Sequence, residues 1–211
     1  MMSEKMKNWV ILLLCLVIAV SLGLTAWIVR TKAEAEAPNP NVTLVTAPEQ
    51  TDFEEHPEWT VPETEPIDYG ENIALGKDIT QNGHTQIYQC RNAVDGDRFT
   101  YWEGLAGAYP NIVTIDLGEA MEMTGARILL NPRQIWSART QDVEIQVSGD
   151  GETFVTVLEK TTLSFDPMED NSAYIPFAET ISGRYIRFLF HANTGATGGQ
   201  AAEIEVYAPK E

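Results

Sequence analysis

The stretch Val143-Glu144-Ile145-Gln146-Val147-Ser148-Gly149-Asp150-Gly151 alternates apolar with polar side chains and then breaks on a Gly-Asp-Gly turn. Alternation of period two marks a strand with one buried face, and glycine beside aspartate marks a reversal. The same grammar extends outward in both directions. Upstream lie Ile112-Val113-Thr114-Ile115-Asp116-Leu117, closed by Gly118-Glu119, and Ala126-Arg127-Ile128-Leu129-Leu130. Downstream lie Phe154-Val155-Thr156-Val157-Leu158 and Tyr185-Ile186-Arg187-Phe188-Leu189-Phe190, the latter preceded by Ser182-Gly183-Arg184. No long helical period interrupts these runs, so residues 71–211 are expected to form an all-β sandwich.

The chain has 211 residues and a formal charge of −17. An acidic surface with no Lys/Arg cluster repels phosphate, which argues against nucleic acid as a partner. Residues 9–29 (WVILLLCLVIAVSLGLTAWIV) form an uncharged apolar run of 21, long enough as a helix to cross a bilayer, with Trp9 and Trp27 at its ends. Lys5 and Lys7 precede it and Glu34 and Glu36 follow, which orients residues 1–8 to the cytoplasm and the rest outside. The expectation is a single-pass cell-membrane anchor with an extracellular C-terminal domain. The alternative is a secreted protein, since Ala33-Glu34-Ala35 resembles a cleavage site.

Residues 30–70 differ again in composition, with six prolines and ten acids against the single base Lys32 between Thr31 and Tyr69. Such a segment buries too little apolar area to offset its chain entropy and reads as an extended, disordered stalk. Cys15 falls inside the apolar run, leaving Cys90 as the exported part's one cysteine, so no internal disulfide is expected there.

Between the stalk and the first clear strand lies Asn92-Ala93-Val94-Asp95-Gly96-Asp97-Arg98-Phe99-Thr100-Tyr101-Trp102. Asp95, Asp97 and Thr100 around Gly96 offer oxygen donors only, which suits Ca2+ rather than zinc. A solvated Asp-Gly turn reads the same residues equally simply, and the twelve-residue EF-hand pattern is absent.

The order of these pieces resembles the coagulation factor V/VIII type C, or discoidin, domain and, within it, the family 32-like carbohydrate-binding modules. The likeness is carried by Asn72-Ile73-Ala74, Ala93 to Asp97 with Thr100 and Trp102, Thr114 to Gly118, Val147 to Gly151, Arg184 to Phe188 and Ala202 to Val206. Tyr101-Trp102-Glu103-Gly104 with Tyr109-Pro110, Trp136-Ser137-Ala138-Arg139-Thr140-Gln141, and Asn193-Thr194-Gly195 with Gln200 and Glu203 are similar to the discoidin-like modules found beside glucanases. Ala196 stands where that group often has an aromatic. The resemblance implies a jelly-roll sandwich and a structural calcium held by backbone carbonyls of Asn92 and Ala202, by Asp95, Asp97 and Glu203, and by Thr100.

A sugar offers an apolar C–H face and a rim of hydroxyls, so its site needs an exposed aromatic beside forked donors. Trp136 with Arg133 and Arg139 in one loop meets that description, and Tyr109 and His84 from other loops can complete a rim. Trp136 as a lid over the core, and His84 as a solvated histidine, are the plainer readings. The function implied is a non-catalytic module that binds a polysaccharide or glycan. The alternative is a cell-surface adhesion domain with a protein partner. An enzyme is not expected, because no nucleophile–base arrangement accompanies Glu103 or Asp116.

Overall fold

The computed structural model describes residues 60–63, 65 and 67–210, together with Met6, Trp9, Val20, Ser21 and Thr25. Those five are helical, and Thr25 Oγ1 donates to the Ser21 carbonyl at 2.8 Å. The anchor expected over 9–29 and most of the stalk expected over 30–70 otherwise fall outside the described residues. Among the described residues no helix is long and apolar enough to cross a membrane.

Eight strands follow in chain order: β1 (Asp78–Gln81), β2 (Trp102–Glu103), β3 (Asn111–Leu129), β4 (Arg139–Ser148), β5 (Val155–Phe165), β6 (Ser172–Asn193), β7 (Gln200–Ala201) and β8 (Glu203–Tyr207). One sheet runs β1-β3-β6-β4-β5 with β8 on β3, and a two-stranded ribbon joins β2 to β7. All pairs are antiparallel. Runs that read as separate strands in the sequence prove continuous. Ile112–Leu117 and Ala126–Leu129 are two halves of β3, and Tyr185–Phe190 is the second half of β6.

The turn signals between those halves are bends within paired strands. Register shifts fall between Asp116 and Met121 and between Met123 and Gly125, where β3 pairs with β6. Extra residues at such bulges twist a strand without ending it. Gly118 supplies a φ of 92° at the first bend, a conformation that glycine adopts without strain. Gly183 sits opposite on β6, where a Cβ would meet Val147 Cγ1 at 2.3 Å. By bending, each long strand serves both layers.

Val113, Ile115, Ile145, Ile186 and Phe188 from one layer and Ala126, Ile128, Ile204 and Val206 from the other fill one core. Trp102 joins it, fully buried, with its ring 5.2 Å from that of Phe190. Cys90 is a free, buried thiol and burial pushes it up from its ordinary range, so it serves as a small apolar group. The folded part reaches back into the stalk's end: Tyr69 stacks on Tyr174 at 4.4 Å, and Lys210 Nζ lies 3.2 Å from Asp68.

Because Phe188 lies where the two layers meet, Phe188→Ala is expected to lower the unfolding free energy by about 3–5 kcal/mol. Urea denaturation measures it, and a loss under about 1 kcal/mol counts against this core assignment.

Candidate functional site

The ribbon β2–β7 places Trp102 opposite Ala201 and Glu103 opposite Gln200. Strand alternation sends Trp102 into the core, so Tyr101 and Glu103 point the other way. Trp136 closes a single 3₁₀ turn, Gln134–Trp136, and its half-buried indole meets the Tyr101 ring edge-on, centroids 4.8 Å apart at 89°. Tyr88 stacks on the far side of this group, 4.3 Å from Tyr101. The Arg139 guanidinium lies over the indole at 5.0 Å. It is held there by the Gln200 side chain, whose Oε1 accepts from Arg139 Nη1 at 2.7 Å and from Asn193 Nδ2 at 3.3 Å.

Gln200 Nε2 in turn donates to Glu103 Oε2 at 2.9 Å, so the ends of three strands share one amide. A Cβ on Gly195 would stand 2.6 Å from Arg139 Nε, which accounts for the glycine of Asn193-Thr194-Gly195. Burial lowers Arg139 from its usual value against the opposing pull of Glu103 and Tyr101. Burial, with Tyr88, drives the Tyr101 phenol up. The result is an aromatic cluster beside a fixed fork of donors and one carboxylate, a group that can take both a ring face and its hydroxyls.

Of the residues named from sequence, Trp136 and Arg139 come together here. Tyr109 belongs to the same surroundings, since burial and then the Glu103 charge raise its phenol. His84 lies beside the group: its Nδ1 is 2.8 Å from Gln81 Nε2, while the next residue, Thr85, donates from its backbone to the Glu103 carbonyl at 2.9 Å. Arg133 is turned elsewhere, over the Phe99 ring at 5.0 Å. Tyr88, Tyr101, Glu103 and Gln200 escaped selection as ligands. The signal for two of them was present, because residues flanking a buried Trp102 in a strand must face outward.

The Asp95-Gly96-Asp97 loop meets the start of β8. Gly96 N donates to Glu203 Oε1 at 2.8 Å, and Thr100 Oγ1 donates to Asp95 Oδ2 at 2.8 Å. Burial, then the adjoining Asp95 carboxylate, pushes Glu203 up to about 8. Two carboxylates forced together with oxygen-only neighbours are a donor set that fits a hard divalent cation. Asp97 stands apart: its Oδ1 accepts from Phe99 N at 2.9 Å, and among the described residues no three acids, histidines or cysteines are grouped so that they could hold a metal ion by side chains alone. The Asn92 side chain donates to the Tyr101 carbonyl at 3.0 Å, and Ala202 N donates to the Leu129 carbonyl at 2.8 Å, which ties both residues to the framework around the loop.

With this geometry in view, the family is defined: residues 78–204 match the model of the F5/8 type C domain, and the chain belongs to that family. No match is found among the curated proteins. Among solved structures, SpGH29 is similar at TM-score 0.54 and 18% identity over 67% of this chain, which spans only 28% of that protein. The CBM32 of AlyQ, solved with 4,5-unsaturated mannuronic acid, is similar at TM-score 0.52 and 20% identity over 66% of this chain and 98% of its own. Chitosan-binding module 2 from the chitosanase/glucanase of Paenibacillus sp. IK-5, solved with chitotriose, is similar at TM-score 0.50 and 26% identity, over 65% of this chain and all of its own.

Gln200 is buried and bonds three partners, so Gln200→Leu strands the Arg139 fork and the Glu103 carboxylate at once. The expected cost is about 1–3 kcal/mol, read by thermal or urea denaturation. An unchanged midpoint would mean that water replaces the amide without loss.

Proposed function

We propose that this chain is a non-catalytic carbohydrate-binding module, displayed outside the cell on an acidic stalk behind a membrane anchor at 9–29. The observation that carries the reading is the Trp136–Arg139–Tyr101 group, with Glu103 and Gln200 at its base. A pyranose ring laid on the aromatic cluster presents its hydroxyls to Arg139 and to Glu103, with Tyr109 beneath them. The Paenibacillus module's bound chitotriose supports a saccharide as the ligand class. Binding of this kind asks for no nucleophile and no proton shuttle, and the group supplies neither.

Asp95, Glu203 and Thr100, with the carbonyls of Asn92 and Ala202, are the residues that would hold calcium; Asp97 contributes by shaping the loop. A bound cation supplies positive charge between the buried Glu203 carboxylate and the exposed Asp95 carboxylate, which otherwise repel. Its role is structural, tying the loop before β2 to the strand that ends the domain.

Two measurements test the reading. On a glycan array probed with the full chain, Trp136→Ala is expected to weaken every positive by about thirtyfold, the equivalent of about 2 kcal/mol for a central aromatic contact. Retained binding in Trp136→Ala, or silence of the wild type together with capture of a protein partner, overturns the site. Separately, calcium added to chelator-stripped protein at about 100 times its dissociation constant is expected to stabilise by about 2.7 kcal/mol, a rise of several degrees in Tm. Glu203→Gln is expected to abolish the response. A wild-type Tm indifferent to calcium removes the metal from the proposal.

A further inference from the structure

The outward face of the five-stranded layer carries a second group, remote from the loops. Cross-strand register sets Thr80 beside Thr114, Thr114 beside Arg187, Arg187 beside Gln146 and Gln146 beside Thr156. An unbroken polar row thus crosses five strands, with a single charge at its centre. Arg187 is half-buried, lies 3.5 Å over the Phe154 ring, and is lowered by burial. Its Nε donates to Thr114 Oγ1 at 3.2 Å. Among the described residues its two Nη groups have no hydrogen-bond partner and no acid pairs with it. A stacked, pre-aimed guanidinium whose fork is left empty is poised for a ligand's acceptors.

The groove beside it has a volume of about 360 Å3 and is shared by Asp78, Asp116, Asp150 and Tyr185. Two of these acids are already engaged. Arg184 holds Asp116 through a two-point fork at 2.7 and 2.8 Å, and this bond is the chief cause of a carboxyl depressed to about 2. Asp150 Oδ1 accepts from the Thr153 and Glu152 backbones and from Ser148. Of the three, the Asp78 carboxylate alone accepts no hydrogen bond among the described residues. The groove therefore offers one free fork of donors, one free carboxylate acceptor and the hydroxyls of Thr80 and Thr114.

Donors and acceptors sharing one groove suit the hydroxyls of an uncharged sugar or polyol, each of which both donates and accepts. Three carboxylates against Arg184 and Arg187 leave a net negative surface, which disfavours uronates and phosphates. The site also stands apart from the Trp136 end. Asn111, which bonds Gly199 near Glu103, and Asp116 are five residues apart on β3, a span of roughly 17 Å at strand rise.

We infer that the Arg187 groove is a second saccharide-binding site, selective for neutral rings, so that one module engages a glycan at two places. The test titrates the full chain, solubilised and 15N-labelled, with triacetylchitotriose, cellotriose and trigalacturonate. Either neutral sugar is expected to shift the amides of Thr80, Thr114 and Gln146. Arg187→Ala should weaken that response at least tenfold while leaving the Gly195 amide's response intact. Asp78→Asn, on the exposed edge strand, should weaken it as well and gives an independent reading should Arg187→Ala fail to fold. Trp136→Ala should do the reverse, silencing Gly195 and sparing the sheet.

Sheet amides that stay still with both neutral sugars, or that move equally in the Arg187 and Asp78 variants, overturn the inference. A trigalacturonate response as strong as that of the neutral sugars overturns the selectivity. Loop signals that respond without the sheet sink this site alone, whereas sheet signals that respond without the loops sink the Trp136 site alone.

Discussion

The antiparallel pairing of β3 with β6 is the constraint from which the rest of the domain follows. Both strands are long, and both bend where their register slips between Asp116 and Met121. Before the bend the pair recruits β1, β4 and β5; after it, β3 recruits β8. Two layers of a sandwich are thus parts of one hydrogen-bonded ladder, which leaves no seam between them to slide. The bend also decides where function can lie, since the loops that leave the Asn111 end of β3 are gathered at one edge and the sheet's outer face is left open.

Loops at the Asn111 end do not pair with that ladder, and buried amides hold them instead. Gln141 and Gln200 exchange bonds reciprocally: the Gln141 side chain donates to the Gln200 carbonyl at 2.9 Å and accepts from the Gln200 backbone at 2.8 Å. Asn111 does the same for its neighbours, accepting from Gly199 N at 2.8 Å and donating to the Leu105 carbonyl at 3.0 Å. Each amide imitates a strand that is not there. A buried amide left unsatisfied is costly, so these contacts narrow the conformations open to the Glu103 and Gln200 region. A rigid site spends less ordering entropy on its ligand.

Strand identity was legible because alternation survives in any half-buried strand, as in Val143 to Val147. Continuity was not: Gly118 and Gly183 read as turns, and only the partner strand's register shows that they are bends. The site was legible in type and incomplete in membership. Trp136 and Arg139 stand in one loop and could be paired by eye, yet Arg133, equally close in sequence, turns to Phe99. Which arginine meets the indole depends on Gln200, some sixty residues further along, and no local pattern announces that contact. The acid pair Asp95 and Glu203 was reached only through a family likeness, because more than a hundred residues separate them.

The segment from Asp95 to Trp102 links the two halves of the candidate site. Asp95 and Thr100 face Glu203; Tyr101 packs against Trp136; Trp102 locks into the core. Between them Arg98 reaches across to Asp170 at 2.7 Å and to the Leu130 carbonyl at 3.2 Å, at the root of the loop that carries Trp136. Trp102 is fully buried, so a shift at Asp95 passes more readily to Tyr101 or through Arg98. Both routes end on the Trp136 loop. The carboxylate pair and the aromatic group are thus joined through one short segment, with the Arg98 bonds as a second tie to the same loop.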